Sequence, residues 1–221
     1  MLQAIIFDMD GVIVDTEYVE FALQRQFIQA INERTDEISE AEYSQVVGKA
    51  LKDIAQIVKE ITHSKIPLEE ITQRYDAFFH SIFDSMDFKT IFREDIKQII
   101  QFAKQHNIKL AVASSSALAH IKNILTQCEI INEFDLIVTG DYFKQSKPHP
   151  EIYQYTMQQL GVQPEYSVAV EDSYFGMTAA KAAGMICIGY EEKRMQIDQS
   201  LADYMGKNML EILDIIKKLA K

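Results

Sequence analysis

Cations are in short supply in this chain. Its 221 residues include 22 lysines and arginines against 33 aspartates and glutamates, a formal net charge of -11. Such a field repels polyanions, so broad binding to nucleic acid or to an anionic membrane surface is excluded as a main function. It also sets a condition on any anionic substrate: attraction has to come from a cation placed locally. Cysteine is scarce too. Cys128 and Cys187 are the two thiols. They make neither a Cys-x-x-Cys pair nor a metal-ligand spacing, and a reducing compartment is expected. The N-terminus lacks a basic n-region, and its apolar stretch is too short for a signal peptide or a membrane span. A cytoplasmic protein is expected. Internal repeats and low-complexity tracts are lacking as well.

What is present can build a sizeable core: 48% of the residues are hydrophobic, which suits one large domain or one core with a smaller insert. Short apolar runs alternate with amphipathic segments. The runs are Ala4–Asp8, Lys109–Ala113, Asp135–Thr139, Ser167–Val170 and Met185–Ile188, brief and apolar throughout, as strands covered on both faces must be. Between and after them, Arg93–His106, Ala117–Gln127, Glu151–Leu160, Tyr174–Ala183 and Met209–Leu219 read as helices. This order predicts a parallel α/β sheet with helices on both sides. The stretch after the first strand breaks the alternation and reads as helices alone: Glu17–Arg34, Glu40–Val47, Leu51–Glu60 and Leu68–Met86. The expectation is a Rossmann-like core over 1–15 and 87–221 with an all-helical subdomain inserted over 16–86. The acidic run Asp36–Glu42 is expected to be a solvated face, and the phenylalanines Phe78, Phe79, Phe83, Phe88 and Phe92 to be core and hinge packing.

The first strand ends in a puzzle. A run that should be buried leads directly into Asp8-Met9-Asp10-Gly11, and carboxylates are costly to desolvate unless something pairs with them. In parallel sheets, ligands bind beyond the carboxyl ends of the strands. Ser114 follows the second strand, Lys147 the third, and Glu171-Asp172 the fourth. Each has an ordinary explanation. Asp10-Gly11 suits a tight turn, Ser115 or Ser116 suits a helix cap, Lys147 could be a solvated loop residue, and Glu171-Asp172 could favour a helix dipole. All of them ending successive strands in this order is much harder to explain that way.

The ordered set DMDGV, hydrophobic-Ser, SKPHPEIY and VEDSYFGMTAAKAAGM resembles the haloacid dehalogenase superfamily. It is most similar to the phosphatase and β-phosphoglucomutase-like branch with a helical cap. The resemblance covers nearly the whole chain. It implies Asp8 as the nucleophile that forms an aspartyl phosphate, and Asp10 as general acid and base, with its main-chain carbonyl on a metal. It implies Ser114 and Ser115 on the phosphoryl oxygens, Lys147 between Asp8 and the phosphoryl group, and Asp8 and Asp172 with Glu171 as ligands of Mg²⁺ beside the Asp10 carbonyl. Asp10 argues against dehalogenation, since the resemblance gives that second aspartate to phosphatases and mutases.

The match weakens in the helical insert. Glu20 stands where the resemblance expects a mutase histidine, and Leu51 where it expects the arginine of a cap loop. Gly48 matches that loop, and Lys49 is a candidate for contacting substrate, though an ammonium lacks the fork of a guanidinium. The reading is therefore a Mg²⁺-dependent phosphatase of a small phosphate ester, such as a sugar phosphate, expected as a monomer. A phosphosugar mutase is the first alternative and a non-enzymatic phosphate-binding protein the second.

Overall fold

Residues 1–47, 51–83 and 85–221 are described in the computed structural model of the chain. The first strand, β1 (Ala4–Phe7), is buried along its whole length. It lies inside a sheet that, among the described residues, has six strands: β2 (Lys109–Ser114), β3 (Leu136–Thr139), β4 (Ser167–Glu171), β5 (Ile186–Tyr190) and β6 (Tyr204–Gly206) complete it. The order is β3-β2-β1-β4-β5-β6 and every pairing is parallel. The chain thus builds outward from β1 to one side, then restarts at β4 on the other. That reversal opens a crevice at the carboxyl ends of β1 and β4. Register matters here. Phe7 is level with Val112 and with Val170, so the next residue, Asp8, stands level with Ala113 and Glu171.

The three-residue strand β6 was not apparent in the sequence. Two of its residues are exposed at the sheet edge, and three residues are too few to carry an alternating pattern.

Two compact units divide the chain. One comprises Met1–Thr16, Phe88–Lys193 and Ile197–Lys221; the other comprises Glu17–Asp87 and Arg194–Gln196. In the first unit, helices α5 (Ile96–Gln105), α6 (Leu118–Gln127), α7 (Glu151–Leu160), α8 (Tyr174–Ala182) and α9 (Met209–Leu219) accompany the sheet. Each buries its apolar face. Ile96, Ile99, Ile100 and Ala103 do so in α5, and Ile152, Tyr153, Met157 and Leu160 in α7. Helix α7 ends at Gly161, whose φ of 66° is left-handed, a conformation that glycine adopts without a Cβ penalty. Among the described residues, no helix is long and apolar enough to cross a membrane.

The second unit holds α1, which starts at Thr16 and runs to Ala30, then α2 (Glu40–Tyr43), α3 (Leu51–Thr62) and α4 (Leu68–Phe83). Helix α1 stops short of the expected Arg34. Arg34 instead pairs with Asp36, with Glu42 (2.6 Å) and with the main-chain carbonyl of Ile61 (3.1 Å). The acidic run is therefore not merely a solvated face. Asp36 and Glu42 converge on Arg34, and Glu42 also closes a capping box with Ser39 at the start of α2. The phenylalanines separate between the units. Phe78, Phe79 and Phe83 pack on α4 with Tyr75 and Phe27, whereas Phe88 is buried in the first unit against His120.

Arg34 makes this unit acid-sensitive. Its hydrogen bonds hold Asp36 down to about 2 from 3.8. The Ser39 N–H, followed by Arg34, holds Glu42 down to about 2 from 4.5. Folded values below the unfolded ones stabilise the fold above about pH 4.5, a contribution lost as pH falls through about 2. Arg34→Met is expected to weaken the helical unit at neutral pH and to flatten its acid dependence in part. Circular dichroism unfolding of the full chain across this pH range is the check.

Candidate active site at the carboxyl edge of the sheet

The buried strand β1 passes directly into Asp8, whose N–H still donates to Val170 (2.9 Å) as a continuation of the ladder. The chain then turns sharply. Gly11 takes a left-handed φ of 72°, and the N–H groups of Val12, Ile13 and Val14 all donate to the Met9 carbonyl (3.3, 2.8 and 3.2 Å). Asp8 is thereby fixed in the crevice.

Its partner is Lys147. The ammonium donates to Asp8 Oδ1 (2.9 Å), Glu171 Oε1 (2.7 Å) and the Ala113 carbonyl (2.9 Å). A lysine has three donors, and here they tie together the ends of β1, β2 and β4. Both carboxylates are buried, Glu171 completely. Glu171 Oε1 accepts a second bond from the Tyr153 hydroxyl (2.5 Å), and Ser173 Oγ lies 3.4 Å from Oε2. Gly176, in the first turn of α8, leaves the space this carboxylate needs, since a Cβ there would overlap it.

The charges shift one another. Burial pushes the Asp8 carboxyl up to about 7 against the pull of Lys147, with Glu171 and Asp10 adding to the rise. Burial opposes the charge on Lys147, but Asp8 and Glu171 outweigh it and its pKa lies above the ordinary lysine value. Lys147 is therefore a fixed cation. Tyr153 is raised well above its ordinary value by burial and by Glu171, so its hydroxyl stays a donor.

Among the described residues, Asp8, Glu171 and Asp172 offer three carboxylate oxygens within 4.8 Å of one another. Three carboxylates against one ammonium leave the crevice negative, and an oxygen-only donor set suits a hard divalent cation such as Mg²⁺. The donor set fits that group. Asp172 is anchored through its carbonyl, which accepts from Gln199 Nε2 (2.6 Å); the same amide also donates to the Tyr190 carbonyl (2.7 Å).

Asp10 lies outside the three-carboxylate group. Its carboxylate accepts from Thr16 Oγ1 (2.8 Å), from Ser116 Oγ (2.7 Å) and, at 3.5 Å, from Ser114 Oγ. Ser114 is fully buried at the end of β2, and Ser115 is exposed. Neither Ser115 nor Ser116 caps α6. Its first N–H groups meet no side chain of the N-cap residue Ala117, and the Leu118 N–H lies 3.3 Å from Asp141 Oδ2. The Ser116 hydroxyl goes instead to the Asp10 side chain. Gly48 and Lys49 lie outside the described residues. Sequence reasoning missed Ser116, Tyr153 and Gln199 as supports of the site, and Thr16 as the hydroxyl that holds Asp10. No local pattern marks Ser116, Tyr153 and Gln199, because each acts on a residue far from it in sequence or at another strand end, whereas Thr16 reaches Asp10 within one turn of the chain.

Known proteins resemble the chain over most of its length. A family model described as haloacid dehalogenase-like hydrolase matches residues 5–190. A phosphorylated carbohydrates phosphatase of Thermotoga maritima is 31% identical over 212 residues, which cover 95% of this chain and 91% of that protein. A β-phosphoglucomutase of Bacillus subtilis is 29% identical over 199 residues, 85% of this chain and 83% of that protein. The solved structure of a CbbY mutant from Rhodobacter sphaeroides, in complex with xylulose-(1,5)bisphosphate, superposes with a TM-score of 0.68 at 26% identity. That match covers 94% of this chain and 95% of the other.

Replacing Lys147 by Met would leave Asp8 and Glu171 buried without their cation. Removing one partner of a buried pair costs about 3–5 kcal/mol, and that loss is expected at pH 7 in urea unfolding of the metal-free protein. It should shrink as pH falls, because the Asp8 carboxyl, already raised to about 7 beside Lys147, takes a proton more readily once that cation is gone.

Proposed function

Because the chain belongs to the haloacid dehalogenase-like hydrolases, we propose that it is a Mg²⁺-dependent phosphatase that hydrolyses a small phosphate ester, a sugar phosphate in particular. The observation that carries this reading is the Lys147 ammonium, which holds the buried Asp8 carboxylate at the crevice between β1 and β4. An anionic nucleophile attacking an anionic phosphate needs positive charge at the point of attack, and Lys147 meets the condition set by the acidity of the whole chain.

In the proposed reaction a carboxylate oxygen of Asp8 attacks phosphorus. The bond from phosphorus to the ester oxygen breaks, and that oxygen takes the proton carried by Asp10. Asp8 is left as an aspartyl phosphate. Asp10, now a carboxylate, then takes a proton from water while the water oxygen attacks phosphorus. The bond to Asp8 breaks, inorganic phosphate leaves, and both aspartates return to their starting states. Ser114 and Ser115 bind phosphoryl oxygens. Asp8, Asp172 and the Asp10 carbonyl would hold Mg²⁺, with Glu171 beside them. When bound, Mg²⁺ supplies further positive charge toward the phosphoryl oxygens. Glu171 has a second task, since its Oε1 is shared by Lys147 and Tyr153 and fixes where the ammonium points.

We read the helical stretch 16–86 as the substrate-selecting cap on a catalytic core of 1–15 and 87–221, in a cytoplasmic monomer. Hydrolysis is preferred over the mutase alternative because Glu20 and Leu51 replace the residues expected of a mutase. The Glu20 carboxylate is instead engaged by Gln24 Nε2 (3.2 Å) on the next turn of α1.

Phosphorus NMR tests the reading. With Mg²⁺, β-glucose 1-phosphate and a trace of glucose 1,6-bisphosphate, growth of the inorganic phosphate peak is expected. Growth of glucose 6-phosphate without free phosphate would mean a mutase. Asp8→Asn is expected to lower phosphate release by roughly 10³-fold or more, and EDTA to abolish it until Mg²⁺ is restored. Full activity in Asp8→Asn would overturn the nucleophile assignment.

A further inference from the structure

We propose that Arg93 is a positioning residue for the general acid Asp10, an inference that rests on the phosphatase reading above. Arg93 lies just after the short helical turn Phe88–Ile91, far in sequence from every residue assigned to the reaction. Its guanidinium reaches back to the first motif. Nη2 donates to the Gly11 carbonyl (3.1 Å) and to Asp15 Oδ1 (2.7 Å), while Nη1 donates to the Tyr190 hydroxyl (2.6 Å). The guanidinium carbon also lies 3.8 Å from the centroid of the Tyr190 ring. The Arg93–Asp15 pair is largely buried, with side-chain exposures of 15% and 22%.

These contacts fall at both ends of one short segment. Gly11 is bonded to Asp10, and Asp15 to Thr16. Thr16 Oγ1 accepts from the Gly11 N–H (3.3 Å) and donates to the Asp10 carboxylate (2.8 Å). The turn from Asp10 to Thr16 is therefore a closed loop, with Asp10 held across its mouth. Arg93 clamps the two ends of that loop and references them to Tyr190, at the end of β5. The main chain reinforces the clamp: Arg93 N–H donates to the Ile13 carbonyl (3.0 Å), Asp15 N–H to the Ile91 carbonyl (2.9 Å), and Val14 bridges to Phe92. A planar fork can serve several acceptors in fixed directions, which an ammonium cannot do.

Asp8 does not depend on this clamp. It is held by the β1 ladder and by Lys147. Disturbing Arg93 should therefore damage proton delivery and leave nucleophilic attack nearly intact. The two are separable by leaving group. Nitrophenolate departs without a proton, whereas the more basic phenolate needs one.

The test measures kcat/KM, which reports the steps up to departure of the leaving group and not the later attack of water, for p-nitrophenyl phosphate and for phenyl phosphate, with Mg²⁺, in wild type, Arg93→Met, Arg93→Lys and, as a reference, Asp10→Asn. Arg93→Met is expected to lose roughly 10- to 100-fold on phenyl phosphate but less than about threefold on p-nitrophenyl phosphate. Asp10→Asn is expected to show the same preference in stronger form. Arg93→Lys keeps the charge and should show a smaller split, and it carries the comparison if the Met variant does not fold. Equal losses on both esters in a folded variant would overturn the inference and leave the phosphatase reading in place. Phosphate release from neither ester by wild type would overturn that reading, and the inference with it.

Discussion

A single ammonium balances the buried carboxylates at the centre of this protein. Asp8 and Glu171 sit where water cannot solvate them, and in such a place an uncompensated carboxylate either takes a proton or destabilises the fold. Lys147 offsets part of this cost by giving one hydrogen bond to each and a third to the end of β2, while burial still leaves the Asp8 carboxyl raised to about 7. The arrangement works because it spans three strands. It closes the carboxyl edge of the sheet and holds Asp8 in place. The surplus of negative charge that remains with Asp172 is what makes the crevice a place for a divalent cation.

The sheet topology supplies the geometry. Placing β4 next to β1 brings Glu171 level with Asp8, and the parallel direction points both toward the same edge. The surroundings then fit the charges. Gly176 leaves space for the Glu171 carboxylate, Tyr153 supplies a hydroxyl held in its donor form, and Gln199 fixes the carbonyl of Asp172. Asp10 is held by a different set, the hydroxyls of Thr16 and Ser116. Two aspartates two residues apart therefore occupy different environments, one beside a cation and one among hydroxyls. Such a difference allows them different roles.

The similar proteins show why the fold does not select the reaction. Relatives of comparable identity bear the names of a carbohydrate phosphate phosphatase and of a phosphoglucomutase. The same core chemistry can end in transfer to water or in transfer to a second sugar position.

Much of this is legible along the chain. A strand buried on both faces has to be apolar throughout, so β1 to β5 stand out as short hydrophobic runs, and ligand chemistry has to follow their ends. That constraint marks Asp8, Asp10, Ser114, Lys147, Glu171 and Asp172 as candidates from their positions in the sequence. The inserted helices are equally visible as a break in the alternation. The edge strand β6 is not, because three residues carry no periodicity. The supports are also hidden. Tyr153 reads as one more core residue of α7, Ser116 as a helix cap, Gln199 as a loop amide, and Arg93 as the start of α5. Their partners lie far away in sequence or on another strand end, and only the return path of the chain brings them together. The sequence by itself determined which charged groups would end the strands, because burial restricts what a strand can contain. Tertiary structure alone decided which donor meets which carboxylate, because hydrogen bonding depends on distance and direction, and these exist only once the sheet has assembled.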